Sequence, residues 1–283
     1  VPALVIGNGG SPGQTSITLR GISPVSSAAV VGTYIDDTPL GSSNGWARAT
    51  TFALDLMPYE LDRFEVLRGP QGTLYGAGAM GGLVKYVLKQ ADTTAFSGEV
   101  GGELNSTSGS SGLGSAERAA VNIPVVQDRL AVRLSLFNQD YQGYTDNPRL
   151  GLENTDDGYQ RGGRVAVTFK PTDKTKMTLL ASYQKLKMSG AEQSIPRDAM
   201  GQIGTDLFFG IPGYSDWKVQ NTTIGYELEH EISPDWSFHQ NARYMHSRVN
   251  FVSAFSTAWP VELENGRFYP VGVQDRPKTT ETY

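Results

Sequence analysis

The chain holds three histidines, His230, His239 and His246, and imidazole is the commonest general base and metal ligand. His239 and His246 differ by seven in an extended run, so they point to opposite faces and cannot share an ion without a bulge. All three fall in strand-like runs rather than a cleft, and no Ser–His–Asp set emerges. Cysteine is absent, which excludes a thiolate nucleophile, a Cys zinc site and a disulfide framework. Asp36-Asp37 could bind a cation, but the pair reads as a turn with a solvated acidic tip. Gly76-x-Gly78-x-x-Gly81 matches the dinucleotide fingerprint by letter. That fingerprint needs a strand before it and a helix after it; here a Gly69-Pro70 turn precedes it and Met80-Gly81-Gly82 leads into a strand. The expectation is no catalysis, no cofactor and no metal. The remaining chemistry is ionic. Arg20 and Arg68 each close an extended run just before a glycine, and a buried arginine needs a carboxylate partner.

The elements that must position these residues are strands. The chain has 283 residues, net charge −5, only 19% charged residues and 33 glycines, against about 20 glycines expected at ordinary usage. A pI near 5.3 argues against nucleic-acid binding. No stretch approaches the ~18 apolar residues of a membrane-spanning helix. A spanning β-barrel remains compatible with a mean hydropathy of −0.32, because only alternate residues face lipid.

The first ninety or so residues read as short runs between glycine turns. Ser16 to Arg20, Val30 to Ile35, Leu61 to Arg68 and Leu83 to Leu88 are extended, and Ala53 to Glu60 is a short helical or turn segment. Glycines crowd the stretch from Gly72 to Gly82, which suggests positive φ or close backbone approach. The blocks Ile17-Thr18-Leu19-Arg20-Gly21, Tyr34-Ile35-Asp36-Asp37, Leu67-Arg68-Gly69-Pro70-Gln71-Gly72-Thr73-Leu74-Tyr75-Gly76 and Gly81-Gly82-Leu83-Val84 occur in that order. Together they resemble the plug domain of TonB-dependent outer-membrane receptors.

From Phe96 onward one face of each run is apolar and the other polar, the period of a half-buried strand. Leu130, Val132, Leu134 and Leu136 oppose Arg133 and Ser135; Val165, Val167 and Phe169 oppose Arg164 and Thr168. Met177, Leu179 and Tyr183 oppose Lys176, Thr178 and Gln184, and Thr222, Ile224 and Leu228 oppose Thr223, Glu227 and Glu229. With Phe96–Leu104 and the weaker runs Ala116–Ile123 and Trp236–Asn250, the set numbers about seven. Connectors near 126–129, 171–174 and 233–235 are short, whereas those near 105–115, 142–158 and 188–216 are long. Alternation of short turns and long loops predicts antiparallel up-and-down strands with unlike ends, as in bacterial outer-membrane barrels. A soluble sandwich or propeller would also alternate, but predicts neither this loop pattern nor a glycine-rich leading module.

The fold expected is therefore mainly β: a small mixed plug domain over 1–92, truncated at its N-terminus, followed over 93–283 by an incomplete antiparallel transmembrane β-barrel. About seven of roughly 22 strands would be present, and both ends of the chain read as cuts. The resemblance implies a bacterial outer-membrane transport receptor, not an enzyme, taking up a ferric siderophore or similar scarce nutrient. It implies contact with outer-membrane lipid and with TonB, the latter through a segment missing from this chain. Plug arginines of the family pair with wall glutamates, which makes Arg20 and Arg68, with Glu65, candidates for a plug–barrel lock whose wall partners would lie mostly downstream of Tyr283; pairing of Arg68 with Glu65 or Asp62 inside the plug is the competing reading. By parity Glu99, Glu103, Arg133, Arg164, Glu227 and Glu229 face the lumen. Ligand contact is expected at the plug apices, with Ser23 on one and Asn44, Trp46 and Arg48 on the other. A passive porin-like channel and a soluble β-rich binding or adhesion module are the alternatives.

Overall fold

The computed structural model of the chain describes residues 2–8, 15–22, 30–40, 59–76, 78–146, 151–189, 217–251, 253–262, 268–275 and 278–282. The N-terminal part holds two small sheets. A hairpin pairs β1 (Leu4–Asn8) with β2 (Thr15–Leu19). A four-stranded sheet joins β3 (Val31–Ile35), β4 (Thr38–Pro39), β5 (Leu61–Arg68) and β6 (Gly82–Leu88) in the order β4-β3-β6-β5. Strands β3 and β6 are parallel and the other pairs antiparallel. Between β5 and β6 lies one helical turn, α1 (Gly72–Tyr75). Ile17, Leu19, Val31 and Val84 form a fully buried cluster between the two sheets.

The glycine block behaves as its composition demands. Gly69, Gly76 and Gly82 have φ of 90°, 75° and 135°, values that L residues rarely adopt. The block delivers the chain into strand β6, not into a helix. Strand β1 has no counterpart in the sequence expectations: its run is short and shows no alternation that would mark it. Of the expected helical or turn segment Ala53 to Glu60, only Tyr59 and Glu60 are among the described residues.

The rest of the chain is one antiparallel sheet of consecutive strands, β7 (Ser97–Asn105), β8 (Gly114–Val126), β9 (Leu130–Tyr141), β10 (Gly158–Thr172), β11 (Thr175–Met188), β12 (Trp217–Ser233) and β13 (Trp236–Phe251). The short connectors are tight turns between β8 and β9, β10 and β11, and β12 and β13. After β13 a separate hairpin pairs β14 (Ser253–Glu262) with β15 (Phe268–Asp275). The chain then returns as β16 (Lys278–Thr282), which pairs with β13 as an eighth strand of the sheet. A hairpin therefore lies between β13 and the next strand of the meander.

The two faces of the sheet are chemically unlike, as the parity requires. On the outer face Val100, Leu136 and Trp236 are 88%, 66% and 71% exposed, and Leu134, Phe169, Leu179, Tyr183, Ile224 and Tyr244 are also exposed. Phe96, Phe169, Trp236 and Phe238 cluster at the short-turn end of this face, the position of an interfacial aromatic girdle. On the inner face Asn122, Arg133, Ser135, Ala166, Thr168 and Asn221 are buried. Polar residues are buried there and apolar ones exposed on the other side, the reverse of a sheet packed on a soluble core.

Candidate functional site: the seam between the N-terminal domain and the inner wall

Register places the inner-face residues in rows. Asn122 lies opposite Arg133, Arg133 opposite Ala166, Ala166 opposite Leu180, Leu180 opposite Gly225, and Gly225 opposite Arg243. Arg164 sits two residues from Ala166 on the same face of β10. Three arginines thus project inward beside Asn122, Ala166, Leu180 and Gly225. Long cations on a desolvated face need carboxylates and carbonyls, and the N-terminal domain supplies both.

The first cluster forms around Glu60, whose side chain is 1% exposed. Arg133 grips both of its carboxylate oxygens, through Nε and through Nη2, the latter at 2.9 Å. This two-point fork is the strongest ion-pair geometry available to arginine. Arg164 Nη2 lies 3.7 Å from the same carboxylate and donates to the Glu60 carbonyl at 3.0 Å and to the Lys89 carbonyl at 3.3 Å. Lys89 Nζ adds a weaker contact to Glu60 at 3.9 Å. Glu60 has φ 65°, a left-handed turn that costs a side-chain-bearing residue about 1–2 kcal/mol. The turn lets its carbonyl accept from Lys89 N–H at 3.0 Å as well as from Arg164. Burial pushes the Glu60 carboxyl up, but the hydrogen bond from Arg133 and the charges of Arg133, Lys89 and Arg164 outweigh it and hold it below its ordinary value.

The second cluster forms at the Asp36-Asp37 turn. Arg243 donates to the Ile35 carbonyl at 2.7 Å and to Asp36 Oδ2 at 3.0 Å, while the other Asp36 oxygen accepts from Leu88 N–H at 3.0 Å. Asp37 pairs with Lys85 at 2.5 Å. The pair that could have bound a cation thus splits: one carboxylate clamps the wall, and the other stays within the N-terminal domain. Above this clamp Ile35 and Leu40 pack against Leu186, Met188, Trp217, Val219, Met245 and Val249 of the wall.

The segment leading from β6 to β7 is tied down separately. Asn122, fully buried, accepts from Asp92 N–H at 2.9 Å and donates to the Asp92 and Ala95 carbonyls at 2.9 and 2.7 Å. Gln90 donates to Glu227 at 3.2 Å. Between the ion-pair clusters the two surfaces do not interdigitate fully. They leave a cavity of about 70 Å³ bordered by Ile35, Tyr59, Leu61 and Leu88 on one side and Gln184 and Thr223 on the other.

The expected site residues divide accordingly. Arg133 and Arg164 meet the N-terminal domain directly, and Glu227 reaches it through Gln90. Glu99 lies 3.9 Å from Lys89, whereas Glu103 pairs with Arg118 at 3.4 Å and Glu229 with Lys176 at 3.1 Å, both within the sheet. For the lock expected from Arg20, Arg68 and Glu65, no described residue of the wall is a partner. Arg20 and Arg68 are exposed and make no ion pair with a described residue. Glu65 bonds Arg63 at 2.6 Å, inside its own sheet. Nor does Arg68 take Asp62, which pairs with Arg63 at 2.7 Å. Glu60, just before β5, lies against this part of the wall, while Arg68 closes the same strand. The strongest ion pairs across this seam join wall arginines to N-terminal carboxylates. Arg133 and Arg164, already assigned inward, carried the usable signal, since inward cations require acids from whatever fills the lumen. Ser23, Asn44, Trp46 and Arg48 lie outside the described residues.

Comparison with known proteins bears on this arrangement. Residues 1–83 match the family model described as the TonB-dependent receptor plug domain. The ferrioxamine B receptor of Salmonella typhimurium is 26% identical over 260 residues, covering 89% of this chain and 34% of the relative. The pesticin receptor of Yersinia enterocolitica is 30% identical over 177 residues, covering 61% of this chain and 24% of the relative. The chain spans about a third or less of the length of the curated relatives it matches. Among solved structures, the ferripyoverdine receptor of Pseudomonas aeruginosa aligns with a TM-score of 0.73 at 18% identity, covering 99% of this chain and 35% of that one. The ferric yersiniabactin uptake receptor of Yersinia pestis gives 0.69 at 24%, covering 89% and 38%.

Proposed function

We propose that the chain is the plug and first barrel strands of a TonB-dependent receptor of the bacterial outer membrane, and that the complete receptor imports a ferric siderophore. We place the division between plug and barrel at 92/93, in the segment that Asn122 holds to the wall. Ligand is captured on the external side, with Ser23, Asn44, Trp46 and Arg48 assigned as contacts. TonB then remodels the plug to open a passage.

One observation carries this reading: beside one buried apolar contact, the plug meets the wall through discrete ion pairs around a cavity. A permanent wall lining would interdigitate like a core. A seam of charges around a cavity is an interface with more than one accessible arrangement, as relative motion of packed units requires. Nothing in the seam calls for covalent chemistry. The same seam disfavours a passive channel, because the lumen of this arc is occupied.

The test is uptake of iron-55 as ferric hydroxamate by cells producing the complete receptor as their only siderophore receptor. Uptake is expected with TonB present and is expected to vanish in its absence. Equal uptake in both strains, with ion conductance through the purified protein, would establish the porin-like alternative instead.

A further inference from the structure

The Asp36 clamp has a neighbour that the Glu60 cluster lacks. Gly225 of β12 lies opposite Arg243 of β13, and Glu227 lies opposite Asn241. Glu227 and Arg243 are therefore diagonal neighbours on the inner face, about 7–8 Å apart along the backbone and within reach for long side chains. With Asp36 and Gln90 they border one cavity of about 40 Å³. In the docked plug each has another partner. Arg243 donates to the Ile35 carbonyl and to Asp36, and Glu227 accepts from Gln90 at 3.2 Å. Arg243 Nε is buried with no hydrogen-bond partner among the described residues. Arg133 and Arg164 differ: the flanking strands hold no carboxylate at any inner position opposite or diagonal to them.

Parting the plug from this stretch of wall removes Asp36 from Arg243 and Gln90 from Glu227 together. A cation left without a partner on a desolvated face is unfavourable, and that penalty opposes separation. Here the two groups that the plug abandons carry opposite charge and stand side by side. Rotation of their side chains across the cavity replaces a plug–wall pair by a wall–wall pair and leaves no cation over. On the plug side, Asp36 keeps the Leu88 N–H that it already accepts. A contact with two discrete arrangements lets packed units separate without passing through an unpaired state.

We propose that Glu227 is the receiving carboxylate for Arg243. The Asp36 clamp then opens by exchange of partners, whereas the Glu60 cluster, which has no receiver on the wall, holds as the anchor. The proposal rests on the plug lying against the wall and not on what the complete receptor imports, so it and the transport reading fail separately.

The test is hydrogen exchange of the complete receptor, read at Leu88, whose N–H bonds Asp36 Oδ1 at 3.0 Å and so reports opening of the clamp. Glu227→Gln is expected to slow that exchange roughly tenfold, because opening then leaves Arg243 unpaired. A Glu227 that merely holds Gln90 predicts the opposite sign. In an Arg243→Met background Glu227→Gln should change nothing, which separates exchange of partners from relief of repulsion between Glu227 and Asp36. Faster or parent-like exchange in the single variant overturns the proposal, as does slowing that persists without Arg243. If Arg243→Met fails to hold the plug, a crystal structure of the complete receptor with Asp36→Asn supplies the decision. Arg243 is expected to turn onto Glu227 in hydrogen-bond contact, and an Arg243 that makes no contact with Glu227 refutes the exchange.

Discussion

Glu60→Gln is expected to loosen the plug by about 3–5 kcal/mol, the range for removing one partner of a buried ion pair. The glutamine keeps the shape but withdraws the charge that offsets Arg133 and Arg164, whose side chains are 10% and 9% exposed. Two guanidinium groups would then share a desolvated space with no carboxylate between them. Hydrogen exchange in the complete receptor should show faster exchange along β5 and at Lys89, whose N–H bonds the Glu60 carbonyl, with the barrel strands unchanged. Adding Arg133→Met to Glu60→Gln should recover part of the loss, since an absent cation needs no partner. Acid should reproduce the effect in the parent protein. The Glu60 carboxyl is held below its ordinary value, so its contribution is complete above the usual carboxylate range and is lost as pH falls through the lowered value. Protection relative to the intrinsic amide rate at each pH that is weaker at neutral than at acid pH would have the wrong sign.

Gly82→Ala is expected to be as damaging, by a different route. Gly82 has φ 135°, and a side chain there would place Cβ 2.3 Å from the Leu67 carbonyl oxygen and 2.5 Å from Leu19 Cδ2. The first contact is with backbone of the paired strand β5, which cannot rotate away. Strain and overlap together should cost on the order of 3 kcal/mol or more, enough to unfold a sheet of four short strands. The expected readout is protease sensitivity confined to the plug, with the barrel still inserted. Gly72→Ala is the control: its added Cβ would meet nothing within 4 Å.

These two residues show what could be read in the sequence. Gly82 lies in a recognisable block, and a crowd of glycines already signals close backbone approach. The strand set was equally legible, because an apolar face beside a polar one forces a period of two: Leu134 and Arg133 could not have shared a face. Glu60 was not legible as the centre of the seam. It stands at the edge of a run in which Asp62 and Glu65 look equally able to pair, and only the contact between the N-terminal domain and the wall shows which acid meets Arg133 and Arg164. Arg243 was hidden for a related reason, since β13 alternates weakly and its partner is a turn far away in the chain. The parity rule also broke down where the wall meets the plug's apolar tip. Leu186 and Met188 occupy the face that carries Thr178 and Gln184 lower on β11, because Ile35 and Leu40 cover them. A strand's inner face takes its polarity from what fills the lumen, which lies in another part of the chain.

The central claim, that the plug lies against the inner wall with its acids on the wall's arginines, is tested most directly by thiol cross-linking of the complete receptor in intact outer membranes. The double variant Asp36→Cys/Arg243→Cys should be joined efficiently by a short bifunctional maleimide. Asp36→Cys/Tyr244→Cys, one residue along β13 and on the opposite face, should not react. Cross-linking of the second pair, or of neither, would place the plug elsewhere and contradict the account.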